Sequence, residues 1–222
     1  MITPPLLVRW YGGLATIAAL LAFQAIVLPR WPTAPRPLPG EQLEAGLRGE
    51  KLLDPSDRSS PGALWPPQRS YELATSAPVV LPLRGGFELT LMRGSMRQRF
   101  NFQASSIGQA QPSLNLISRR LVGTPVPTAA GLAQGRPALQ TCLVEGPGLD
   151  DGFGVTREQL WTLADRLASG QVAGLKRVIG LQPNRSYDCT LISLRGPEGK
   201  PPSDLLWRQV LDLVEPVLRS QN

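Results

Sequence analysis

Two cysteines, Cys142 and Cys189, are the strongest nucleophiles and the only thiolate metal ligands in a 222-residue chain that contains no histidine. Without an imidazole, a Cys-His dyad, a Ser-His-Asp triad and every His-bearing metal site are excluded. The two cysteines lie 47 positions apart with no C-x-x-C pair, so they cannot build a zinc ribbon either. What remains is a disulfide or a pair of inert buried thiols. Acid-base chemistry would have to come from carboxylates, and the candidates are Glu88, Glu145, Asp150, Asp151 and Asp188. Glu145 and Asp188 lie close to the cysteines in sequence, so a crosslink would bring them together. Retaining glycosidases need about 5 Å between carboxyls and inverting ones about 6.5–9.5 Å. Asp150 and Asp151, in GPGLDDGFG, read as a solvated loop. That stretch and LRGGFE are glycine-rich, but neither joins a strand to a helix with phosphate-loop spacing, and both read as turns.

The elements that must position these groups are legible from periodicity. ALQTCLVEG (Ala138 to Gly146) alternates as a strand, with Cys142 on the face of Gln140 and Val144. YDCTLISLRG (Tyr187 to Gly196) puts Cys189 on the face of Tyr187 and Leu191. GFELTLMRG (Gly86 to Gly94) and LNLISRRLV (Leu114 to Val122) give two more strands, the first with Phe87, Leu89 and Leu91 alternating with Glu88, Thr90 and Met92. Between the cysteine strands, VTREQLWTLADRLASG opens on a capping box, Thr156 with Gln159. It places Leu160, Leu163, Ala164 and Leu167 on one face and ends at Gly170. A last helix starts at Ser203 after two prolines, with Leu206, Val210, Leu213 and Val217 as its stripe and Pro216 expected to bend or fray its end. EQLEAGLRGEKLL is a short helical candidate. Strands first and helices among the later ones predict an α+β domain with an antiparallel sheet.

Before the domain, WYGGLATIAALLAFQAIVLP runs for twenty residues without a charge, long enough as a helix to cross about 30 Å of hydrocarbon. Trp10, Tyr11 and Trp31 bracket it as interfacial aromatics do, and no A-x-A site follows it. A retained anchor is therefore expected over a cleaved signal peptide. The chain divides into a short cytoplasmic tail (1–9), a transmembrane anchor (10–28), a proline-rich spacer (29–40) and an extracytoplasmic α+β domain (41–222). In that setting an even cysteine count suits an oxidising compartment, and a Cys142–Cys189 disulfide would stabilise the fold by about 4 kcal/mol on the chain-entropy model. Proline (23) and glycine (22) crowd Pro29 to Pro39, Pro55 to Pro67 and Pro78 to Gly86, making the front half loop-rich. The net charge of +6 is carried almost wholly by scattered arginines, with no basic run and no interleaved aromatic platform, which argues against nucleic acid as a partner.

The ordered set GRPALQTCLVEG (Gly135 to Gly146), VTREQL (Val155 to Leu160), RSYDCTLISL (Arg185 to Leu194) and a closing amphipathic helix containing Trp207 resembles the cyanobacterial exosortase-system-associated proteins. These are relatives of the exosortase-associated proteins found beside exopolysaccharide loci. The resemblance covers roughly the last third to two-fifths of the chain and the membrane-anchor layout. It implies a non-catalytic accessory role. The amino terminus and Arg9 argue for an N-terminus inside the inner (plasma) membrane, Arg30 and Arg36 pull weakly the other way, and a disulfide would place the domain in the periplasm. The partners would be the membrane and an exosortase, its sorted proteins or a polysaccharide. It carries over no catalytic residue, no cofactor and no metal. Two other readings compete: a membrane-tethered enzyme acting on exopolysaccharide through paired carboxylates, and a lumenal scaffold unrelated to sorting.

Overall fold

In the computed structural model the alternating segments pair into one antiparallel sheet. The structure describes residues 10–20, 35–54, 73–97, 113–118, 125–133, 135–144, 152–156, 158–160, 162–163 and 186–220. Helix α1 spans 10–20 and α2 spans Gly40–Gly49. The strands are β1 (Leu73–Thr75), β2 (Val79–Leu83), β3 (Phe87–Arg97), β4 (Ser113–Ser118), β5 (Pro125–Ala133), β6 (Arg136–Val144), β7 (Phe153–Gly154) and β8 (Ser186–Arg195), and α3 (Asp204–Arg219) follows. Their order across the sheet is β1-β3-β8-β6-β5-β4, with β2 also on β3 and β7 also on β6. The fold is thus α+β with an antiparallel sheet and helices.

One sheet face is aliphatic. Leu89, Leu91, Ile192, Leu194, Leu139 and Leu143 point to it by register, and all are buried. Leu43 and Leu47 of α2 join Trp207, Val210, Leu211, Val214 and Leu218 of α3 in the same core cluster. Of the expected stripe of α3, Val210 is buried, while at the other positions burial passes to the next residue along. Leu206, Leu213 and Val217 are only partly buried, because the helix centres on Trp207, whose indole Nε1 donates to Thr128 Oγ1 at 3.0 Å. Ser203 caps the helix, its Oγ accepting from the Leu206 N–H. Pro216 lies inside the helix, which continues to Arg219.

Two proline-bearing segments form strands. β2 carries Pro82 and pairs along its length only with β3; its outer edge meets the chain at one bridge, Leu53 to Leu83, where the Pro82 carbonyl accepts from the Asp54 N–H, so the missing proline N–H costs no bond to β3. β5 carries Pro125 and Pro127, yet its ladder to β6 runs only from Ala129 to Ala133 and leaves both prolines outside it. Gly135, at φ +77°, makes the tight return from β5 to β6, a conformation that favours glycine. LRGGFE turns β2 into β3 through Gly85 and Gly86, both at positive φ. β3 runs through Gly94 to Arg97 because β1 and β8 pair with it on its two sides there.

The capping box is present: the Gln159 N–H donates to Thr156 Oγ1 at 3.3 Å and the Thr156 N–H donates to Gln159 Oε1 at 3.2 Å. Leu160 and Leu163 are buried in the helical turn that follows, while Leu167 and Gly170 lie outside the described residues. So do residues 119–122, 145–146 and 21–34, which include the second half of the expected membrane segment. α1 exposes Trp10, Tyr11, Leu14, Ile17 and Leu20. Among the described residues no helix is long and apolar enough to cross a membrane.

Candidate functional site on the disulfide face

The cysteines reach each other through strand register. β6 and β8 run antiparallel with Cys142 opposite Leu191 and Val144 opposite Cys189, so the two thiols start from diagonal positions on one face. Their Cα atoms stand 5.9 Å apart, inside the span a disulfide bridges, and Cys142 and Cys189 are joined. Both are fully buried. A crosslink enclosed between the central strands offers no thiolate to a substrate, so its role is to hold β6 against β8.

The rest of this face differs from the aliphatic one. Next to the row Met92–Leu191–Cys142 comes Thr90–Ser193–Gln140, three polar side chains in register across β3, β8 and β6, all buried. Gln140 Nε2 donates to Ser193 Oγ at 3.2 Å, while Gln140 Oε1 is buried with no hydrogen-bond partner among the described residues. Leaving such an acceptor unsatisfied costs about 1–3 kcal/mol, so this row spends stability rather than supplying it. An amide N–H donated into the serine oxygen draws electron density away from it, the opposite of general-base activation. The row is not a nucleophile assembly.

One row further, Glu88 pairs with Arg195 across β3 and β8. Glu88 also accepts from Thr90 Oγ1 at 3.3 Å and lies 3.7 Å from Arg136 Nη1. Arg136 in turn donates to the carbonyls of Gly196 (2.7 Å) and Gly86 (3.0 Å), pinning two loops to the end of the sheet. A carboxylate committed to two arginines and a hydroxyl is a structural anion rather than a free acid or base.

Asp188 does not complete a catalytic pair with it. Asp188 is exposed on β8 opposite Ser95, seven residues from the Arg195 that Glu88 faces and on the other side of the sheet. At about 3.3 Å per residue the separation is about 23 Å, far beyond either glycosidase spacing. Glu145, Asp150 and Asp151 lie outside the described residues. Among the described residues no group of three His, Cys, Asp or Glu side chains could hold a metal ion.

No family model, no curated protein and no solved structure matches the chain.

Arg93 and Arg195, both buried, are the structural residues that a reading for chemistry passes over. The signal for each is alternation. Arg93 continues the Phe87, Leu89, Leu91 series onto the core face, and Arg195 continues Cys189, Leu191 and Ser193 onto the disulfide face. A strand that keeps its phase through an arginine buries that arginine.

Proposed function

We propose that the chain is a non-catalytic, membrane-anchored accessory protein of an exosortase protein-sorting and exopolysaccharide system. It is single-pass in the inner (plasma) membrane, N-terminus inside, with its domain in the periplasm. The observation that carries this reading is the Cys142–Cys189 disulfide, since such bonds persist in oxidising compartments and are rare in the cytosol. The crosslinked strands are the same two that, with the capped helix between them, carry the resemblance to the exosortase-associated proteins. The uncharged run from Trp10 to Pro29 supplies the anchor. The engagement of Glu88 by two arginines, and its distance from Asp188, favour binding over glycoside chemistry.

The test is co-purification of the tagged full chain from membranes in mild detergent, with maleimide labelling before and after reductant. Recovery of an exosortase, together with cysteines that label only after reduction, is the expected result. Two thiols that label after denaturation alone would place the domain in a reducing compartment and remove the reading. Recovery of the chain by itself from cells that express an exosortase would leave a membrane scaffold unrelated to sorting.

A further inference from the structure

The second half of the proline-rich spacer belongs to the domain. Arg93, buried on the core face near one end of β3, donates through Nε to Thr190 Oγ1 (3.3 Å) and through Nη1 to the Arg36 carbonyl (3.5 Å). Two residues on, Leu38 packs against the core cluster, and the Pro39 carbonyl accepts the Leu43 N–H as α2 begins. Gly40 sits against Val79, whose partner in the sheet is Leu91. From Arg36 onward the chain is thus fastened to the sheet at the level of Arg93 to Leu91. The spacer that remains between Leu28 and the first described residue, Pro35, is six residues, which span at most about 22 Å fully extended.

We infer that Arg93 clamps the spacer so that the domain is held close over its anchor, with the strand-end pole near Asp188 and Arg93 toward the bilayer and the opposite pole, with the Gly196–Lys200 loop, away from it. This rests on the membrane-anchored reading above. Along β8, Asp188 and Arg195 are seven residues apart, about 23 Å, so the two poles differ in height by as much as the tether can reach. A domain held in this way meets partners that lie in or on the membrane, and Arg93 is a positioning residue for that encounter.

The experiment uses the full chain in lipid vesicles, with a fluorescent amino acid placed at Asp188 or at Glu198, both exposed, and an energy acceptor on the lipid headgroups. Transfer is expected to be severalfold stronger from position 188 than from 198. That difference should narrow in Arg93→Met, which releases Arg36 and Pro37 while Leu38 still packs on the core. It should collapse when about 20 Gly/Ser residues, with an r.m.s. reach of about 25 Å, are inserted after Arg30, a change that leaves the domain itself intact. A chain that floats with the vesicles but transfers equally from both positions overturns the inference and leaves the anchor standing. So does a difference that survives both changes. A chain that does not float removes the anchor and this inference together.

Discussion

The two faces of the sheet are built on opposite principles. On one, Leu89, Leu91, Ile192 and Leu194 meet Trp207 and the leucines and valines of two helices, and Trp207 Nε1 donates to Thr128 Oγ1. On the other, the same strands present a disulfide, a row of Thr90, Ser193 and Gln140 with one orphaned carbonyl oxygen, and a Glu88–Arg195 ion pair. Apolar burial yields about 25 cal/mol per Å², whereas buried ion pairs return little beyond their desolvation cost. The aliphatic face therefore stabilises the domain by packing, whereas the disulfide face adds a covalent bond beside buried Met92, Leu191 and Val144 and holds polar groups in fixed positions.

Substitutions on the two faces test that contrast. The largest effect is expected from Trp207→Ala, which empties the centre of the aliphatic face and leaves Thr128 Oγ1 without its indole donor; about 4–5 kcal/mol should be lost in urea unfolding. Removing the crosslink with Cys142→Ala and Cys189→Ala together should cost about 4 kcal/mol for a separation of 47 residues. A loss far below that, measured in the same urea series, would mean that packing alone holds β6 on β8. Glu88→Ala, which removes the carboxylate paired with Arg195 at 6% side-chain exposure, should cost about 2 kcal/mol. Changing both partners, Glu88→Met with Arg195→Met, should recover most of that loss, and a double mutant as unstable as the single would show that the pair stabilises on its own account. The smallest effect is expected from Gln140→Met, of similar volume and without the orphaned oxygen: within about 1 kcal/mol of wild type, in either direction. A cost as large as that of Trp207→Ala would make the polar row part of the core and dissolve the distinction between the faces.

Much of this architecture was legible locally. The alternation in ALQTCLVEG and YDCTLISLRG gave both cysteine strands nearly to their ends, and Thr156 with Gln159 gave the capping box, because each depends on residues within a few positions of one another. β5 is not legible locally, because its two prolines and Gly131 oppose a strand by propensity. It forms because β4 and β6 supply partners and the β6 ladder stops short of Pro127. The partly shifted stripe of α3 has the same origin. Leu206, Val210, Leu213 and Val217 satisfy helical spacing as well as the buried set does, and the Trp207–Thr128 hydrogen bond, 79 residues apart, selects between them.

The sequence by itself determined that this protein has no imidazole chemistry, that its two cysteines lie in alternating strands, and that an uncharged run of membrane length precedes a basic domain. Only the tertiary structure decided that Cys142 and Cys189 fall on one diagonal, that Glu88 is spent on Arg195, and that the spacer is fastened by Arg93. Alternation places a side chain on one of two faces, but the register between strands decides which side chains meet, and a slip of one residue would exchange the faces. That register is set by neighbours distant in sequence, so no local window of the chain contains it.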